Sequence, residues 1–171
     1  MAILLNDKLN GSHLGKASSP ATVVYDTGFE DQAASFNNLT DYIRYDTSKF
    51  GLSGTITMFI YINSLPTPGN LRRILGATDT MFLLLYGDGT LRWQVYDGSK
   101  YFKLFGSTSL EVNKWYQISV SYGTKEGMLL YVNGIREGTY ETTNLYADRP
   151  NNDIYIGVGN LDRCFSGRID L

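Results

Sequence analysis

Residues 129–138 read LLYVNGIREG. Two leucines, a tyrosine and a valine run into Asn133-Gly134, and polar residues follow. A two-residue hairpin loop needs positive φ at both central positions, and Asn then Gly tolerate that better than other pairs. The pair therefore predicts a type I′ turn between antiparallel strands, a corner rather than a site. Upstream, KWYQISVSY at 114–122 alternates strictly. Tyr116, Ile118, Val120 and Tyr122 fall on one face, which reads as core. Trp115, Gln117, Ser119 and Ser121 fall on the other.

The same period runs outward along the chain. TVVY at 22–25 and DYIRY at 41–45 are short and β-rich. In TITMFIYIN at 55–63, Ile56, Met58, Ile60 and Ile62 share a face, with Thr57, Phe59 and Tyr61 opposite, so both faces are expected to be covered. RRILGA at 72–77 and the following MFLLLY lead to Asp88-Gly89, TLRWQVY at 90–96, Asp97-Gly98 and KYFKLFG at 100–106. Both Asp-Gly pairs are hairpin signals. DIYIGVG at 153–159 and FSGRIDL at 165–171 close the set. FEDQAASFNN at 29–38 is the one stretch that reads as a short helical turn. Many strands at this spacing, with no sustained helical stripe, predict an all-β antiparallel sandwich of jelly-roll type, as a single domain over 1–171.

Composition agrees. Aromatic residues make up 13% of the chain and there are 18 glycines, which suits strands and tight turns. The net charge of −2 is spread over both signs, which excludes the basic stripe of a nucleic-acid binder. No apolar run is long enough to span a bilayer, and MAILLNDKLNG has no cationic start of a secretory signal. Cys164 is the only cysteine and His13 the only histidine. Neither a disulfide nor a zinc cluster can be built from one Cys, and His13, in a polar Gly-rich stretch, reads as a loop residue.

Three segments in fixed order carry a resemblance. AASFNNLTDYIRYDTSKFGLSGTITMFIYIN at 33–63 is similar to the opening of a laminin G-like domain. NKWYQISVSYGTKEGMLLYVNGI at 113–135 resembles that family's central hairpin, and DIYIGVGNLDRCFSGRIDL at 153–171 its closing segment. The match is to the concanavalin A-like lectin/glucanase superfamily, in its laminin G-like and pentraxin-like branch. The resemblance implies a jelly roll with a further strand past Ile169-Asp170. The sandwich is therefore expected to be short of its last strand, or to have it supplied by a following domain or neighbouring chain.

The superfamily includes glucanases, whose active strand carries Glu-x-Asp-x-x-Glu so that the carboxylates converge on one face. No such spacing occurs here, and the chain is expected not to be an enzyme. Many relatives hold calcium in rim loops, and a hard cation needs several converging oxygens. Asp97, Asp148, Asn151, Asn152, Asp153, Asn160 and Asp162 are the loop residues that could supply them. The alternative for these Asx residues is a set of polar turns bonding their own backbone.

Parity along 90–96 separates Leu91, Trp93 and Val95, which suit a core, from Arg92, Gln94 and Tyr96, which are expected to face outward. Tyr101 and Lys103 follow across the Asp97-Gly98 corner, and Tyr86 precedes the strand. Tyr86, Arg92, Gln94, Tyr96, Tyr101 and Lys103 thus form the candidate ligand patch, in which rings cover the apolar side of a pyranose and polar groups orient its hydroxyls. Trp115 is expected to pack rather than to bind. The expected function is a non-catalytic binding or adhesion module for a glycan or protein ligand, on a cell-surface, secreted or virion protein. The alternative is a structural spacer or decoration domain of a phage or surface protein; a glycoside hydrolase is a distant third.

Overall fold

Asn133 and Gly134 have φ of 51° and 76°, the two left-handed conformations that the Asn-Gly pair predicts. The structure, a computed structural model, describes residues 16–17, 24–29, 32–37, 41–45, 54–77, 80–123, 127–140, 154–157 and 163–170. Among them there are fourteen strands. They are β1 (Lys16–Ala17), β2 (Val24–Thr27), β3 (Gln32–Phe36), β4 (Ile43–Tyr45), β5 (Gly54–Ile62), β6 (Leu71–Ala77) and β7 (Met81–Tyr86). The chain continues through β8 (Leu91–Tyr96), β9 (Tyr101–Phe105), β10 (Trp115–Tyr122), β11 (Met128–Val132), β12 (Ile135–Tyr140), β13 (Ile154–Ile156) and β14 (Gly167–Asp170).

These make two seven-stranded sheets, ordered β1-β4-β13-β6-β7-β8-β9 and β12-β11-β10-β5-β14-β3-β2, with every strand pair antiparallel. The protein is therefore the antiparallel jelly-roll sandwich that its alternation predicts. Period-two burial is clean where one face is wet: along β10, Tyr116, Ile118, Val120 and Tyr122 are buried and the residues between them are not. Met58, Ile60 and Ile62 of β5 and Ile118 and Val120 of β10 meet Leu83, Leu85, Trp93 and Val95 of the first sheet in one core. Trp93 is 0% exposed, and its Nε1–H donates to the carbonyl of Ser121 in the opposite sheet at 2.9 Å.

Residues 29–38 are not helical where described: Gln32–Phe36 is a strand. It pairs with β2 on one edge and β14 on the other, and Ala33, Ala34 and Phe36 are wholly buried. Its partners are the preceding strand β2 and, more than a hundred residues away, β14, and no local propensity announces the second. β14 in turn has both edges taken, by β5 and β3, so a further strand of the kind the family resemblance implied would have to join elsewhere.

Two polar contacts fasten particular corners. The Asn133 amide donates to the Gln117 carbonyl and Asn133 Oδ1 accepts from the Gln117 amide, both at 2.8 Å. The turn is thereby pinned to β10 as well as shaped by its own backbone. Glu137, on β12, reaches the loop after β9. Its Oε2 accepts from the Ser107 amide, the Ser107 hydroxyl and the Thr108 amide at 2.7, 2.9 and 2.7 Å, and its Oε1 from the Thr108 hydroxyl at 2.6 Å. One carboxylate thus joins the edges of the two sheets. Partial burial alone would raise its pKa, but the hydrogen bonds from Thr108 and Ser107 outweigh that and hold it below its ordinary value.

Asn133→Ala is expected to lower stability by about 1–2 kcal/mol in urea unfolding, because it adds positive-φ strain and removes the Gln117 contact. Asn133→Gly, which keeps the turn but not the contact, should lose less. Equal losses would mean that backbone strain is not part of the cost. For Glu137, a depressed folded pKa contributes stability that is present above the unfolded value and is lost as pH falls through the folded one. The stability gap between wild type and Glu137→Gln should accordingly narrow between roughly pH 6 and pH 3. A gap that stays constant over that range would rule out the carboxylate staple.

Candidate functional site

Register decides which side chains of the first sheet turn away from the core. Across β7 and β8, Leu83 pairs with Trp93 and Met81 with Val95, and all four are fully buried. Phe82 opposite Gln94, and Leu84 opposite Arg92, therefore point outward. Across β8 and β9 the outward pairs are Arg92 with Phe105, Gln94 with Lys103 and Tyr96 with Tyr101. Tyr86 lies two residues past Leu84 on the same face. Tyr86, Arg92, Gln94, Tyr96, Tyr101 and Lys103 thus all occupy one face of three consecutive strands.

They are not equally open. Tyr101 is 38% exposed and Phe105 59%, while Gln94 is only 8% exposed. The sequence places Gln94 outward, and it does point that way, but it does not stand in solvent. Phe82 flanks it on one side and Lys103 on the other, and Tyr101 leans toward Phe82 with ring centres 6.3 Å apart. Tyr96 and Tyr101 lie 4.9 Å apart. The Arg92 guanidinium sits between two rings, 5.0 Å from the centre of Tyr86 and 5.8 Å from that of Phe105. Stacking of this kind holds the planar fork in place.

Three polar atoms in this region are buried without a hydrogen-bond partner: Gln94 Oε1, Arg92 Nε and Thr80 Oγ1. Thr80 belongs to the same end of the face as Tyr96, whose amide donates to the Thr80 carbonyl at 2.6 Å. Each unsatisfied group costs about 1–3 kcal/mol in the free protein. They are two hydrogen-bonding edges and a hydroxyl set among aromatic rings.

Phe82, Arg73, Gly76 and Thr80 escaped the sequence reading, and Phe105, which alternation puts on the face of Tyr101 and Lys103, is absent from the candidate patch. MFLLLY has no polar residue to mark its faces, and only counting outward from the Asp88-Gly89 hairpin puts Phe82 across from Gln94. The Arg73 guanidinium lies 4.2 Å over the Phe82 ring. Gly76 makes room for that pair: a Cβ there would come within 2.6 Å of Arg73 Cδ and 2.8 Å of Phe82 Cδ1. The hairpin aspartates are structural. Asp97 Oδ1 accepts from the Ser99 amide, the Ser99 hydroxyl and the Lys100 amide at 2.8, 2.8 and 2.9 Å. The hydrogen bonds from Lys100 and Ser99 hold its carboxyl below the usual range, and that oxygen is committed to the turn rather than to a cation.

The other calcium candidates, Asp148, Asn151, Asn152, Asp153, Asn160 and Asp162, lie outside the described residues. Trp115 packs, but not in the core. It lies on the outer face of the second sheet, 5.4 Å from Tyr61 and 6.1 Å from Phe29, with the Arg168 guanidinium 4.0 Å over Tyr61 and 5.4 Å over Trp115. Phe29 stacks on Phe59 at 4.2 Å. The second face of β5 is covered only in part: Phe59 and Tyr61 are half-buried, while Thr57 is exposed.

The sequence from 36 to 171 matches a laminin G family model described as the concanavalin A-like lectin/glucanases superfamily. The chain belongs to that superfamily. No curated protein sequence matches it. Solved structures share the fold at low identity. The binding domain of Paraclostridial Mosquitocidal Protein 1 superposes with a TM-score of 0.77 at 19% identity, over 91% of this chain and 42% of that one. Domain 4 of AbnA, a GH43 extracellular arabinanase from Geobacillus stearothermophilus solved with arabinotriose, gives 0.65 at 20%, over 88% and 73%. The ligand-binding domain of botulinum neurotoxin serotype D, solved with N-acetylneuraminic acid, gives 0.70 at 18%, over 98% and 46%. This laminin G-like chain therefore spans less than half the length of the toxin domains it resembles.

Gly76→Val is expected to destabilise the protein by about 1–3 kcal/mol through overpacking against Arg73 and Phe82. An unchanged urea midpoint would show that the outer face is looser than these contacts require.

Proposed function

We propose that this laminin G-like protein is a non-catalytic carbohydrate-binding module, and that its sugar lies on the outer face of β7, β8 and β9. One observation carries the reading: buried unsatisfied polar atoms stand beside accessible aromatic rings. Gln94 Oε1 can only accept, Arg92 Nε can only donate, and Thr80 Oγ1 can do either. A sugar hydroxyl both donates and accepts, so a saccharide that moves the covering side chains aside satisfies groups that no apolar ligand can. Its C–H face stacks on a tyrosine or phenylalanine ring, here Tyr96, Tyr101 or Phe105. Forming such hydrogen bonds on binding removes a cost the free protein carries.

The structural neighbours support this reading. The arabinanase domain was solved with a sugar, and this chain spans 73% of it. The toxin domains are binding domains. The glucanase carboxylate spacing is absent from the sequence. The outward side chains of β7–β9 are aromatic, aliphatic, amide or cationic, whereas retaining or inverting hydrolysis needs two carboxyl groups about 5–9.5 Å apart. The glycan reading, with neighbours that include an extracellular enzyme and a toxin, supports a place of work outside the cell or at a cell surface.

A glycan array of the pure protein is the test, followed by titration calorimetry with the best hit. Binding is expected, without release of reducing sugar from the bound polymer. Tyr101→Ala should weaken it by roughly 1–3 kcal/mol, the range of an aromatic contact residue, with the melting temperature little changed because Tyr101 is already exposed. An array on which nothing is retained, or a hit that binds Tyr101→Ala and Gln94→Leu as tightly as wild type, would remove the proposal.

A further inference from the structure

We infer that the sugar recognised on this face is acidic, with a ring carboxylate held between Arg92 and Lys103; the inference rests on the carbohydrate reading above. Charge within the strands of this sheet has a single sign, although Asp88 and Asp97 stand in the hairpins that join β7, β8 and β9. β4, β6, β7, β8, β9 and β13 contain Arg44, Arg72, Arg73, Arg92 and Lys103, and not one Asp or Glu. The whole chain has 17 acidic residues against 15 basic ones, so this segregation runs against its overall balance. Acidic residues do occur in strands of the other sheet: Asp26 in β2, Glu137 in β12 and Asp170 in β14.

The arrangement around Gln94 divides the work. Lys103 is its direct partner across β8 and β9, which places the two Cβ atoms about 4.5–5.5 Å apart. Arg92 is two residues earlier on the same face, about 6.5–7 Å away along the strand. The amide therefore sits between two cations. Neither Arg92 nor Lys103 has a carboxylate partner among the described residues. Arg92 is half-buried and held between Tyr86 and Phe105, so its charge is partly desolvated without an ion pair to offset the cost.

An anion restores that balance, and a planar carboxylate matches the guanidinium fork. Gln94 Oε1 narrows the choice. It is an acceptor and repels a carboxylate oxygen, but it takes a hydroxyl proton. Sulfate, which carries no proton, would suit the cations and leave Gln94 Oε1 unsatisfied. A molecule that has hydroxyl donors beside a carboxylate, and a C–H face for Tyr96 and Tyr101, satisfies all three groups. A carboxylated pyranose, such as a uronic or sialic acid, is such a molecule.

Two matched pairs test this by titration calorimetry: an oligogalacturonide with its carboxyl-reduced neutral counterpart, and sialyllactose with lactose. In at least one pair the acidic member should bind on the order of tenfold tighter at about 0.15 M salt, with the ratio falling as salt rises. The ratio should drop toward one in Arg92→Gln/Lys103→Gln, and already fall in Lys103→Gln alone, a change at an exposed position that leaves the fold intact. Tyr101→Ala should weaken both members of a pair and keep their ratio. Sodium sulfate at matched ionic strength should not displace the acidic sugar. The inference is overturned if neutral and acidic members bind alike, if the preference survives in the double variant, or if sulfate competes stoichiometrically. It also falls if neither pair binds while the array finds a neutral glycan that depends on Tyr101; the carbohydrate reading then stands. An array with no bound glycan removes both.

Discussion

Trp93 is the point on which the two sheets agree. Its indole is fully buried between them, and its single donor is spent on the Ser121 carbonyl of the facing sheet. A buried indole N–H without a partner would cost more than the ring gains from its last contacts. The ring can therefore sit only where a carbonyl of β10 comes within reach. That condition fixes the height and register of β8 against the second sheet, and β8 carries its neighbours β7 and β9 with it through the ladder.

The outer face follows from this placement. Because successive side chains alternate, holding Trp93 inside forces Arg92 and Gln94 outside. Burial of Leu83 and Leu104 beside it forces Phe82, Lys103 and Phe105 out as well. The resulting surface has apolar area, cations and unsatisfied hydrogen-bonding atoms together. Folding alone would favour a different one, with short polar side chains fully solvated. The stability it gives up is small against the many fully buried residues of the core, and a face of this kind is what a polar ligand with an apolar side can use.

The outer face of the second sheet makes a useful contrast. It is as aromatic, with Phe29, Phe59, Tyr61 and Trp115, and it too has an arginine over the rings. There, however, the cation is already engaged. Arg168 donates to the Thr27 carbonyl at 2.8 Å and lies 3.8 Å from the Asp26 carboxylate, and Phe29 donates its amide to Asp170. Rings and charges on that side satisfy one another. Similar composition on the two faces thus has different consequences, and the difference lies in which polar groups have partners.

What the sequence determines by itself is local. Alternation in 114–122 and 90–96, the Asn133-Gly134 turn and the two Asp-Gly corners specify strands, their inward faces and three hairpins, because side-chain period and positive-φ tolerance are properties of neighbouring residues. These signals alone put Arg92, Gln94, Tyr96, Tyr101, Lys103 and Tyr86 together on one face. Long-range pairing was not legible. Residues 32–36 are held between the neighbouring strand β2 and the distant β14, and the second pairing has no local signal. Phe82 reaches the candidate site only through register with Gln94, since an unbroken apolar run marks neither of its faces. Whether Gln94 is wet or buried, and whether Arg92 has a counter-ion, depends on what neighbouring strands bring alongside. Tertiary structure decides these questions because desolvation and hydrogen-bond satisfaction belong to a residue's surroundings in space, and most of those surroundings are distant in the chain.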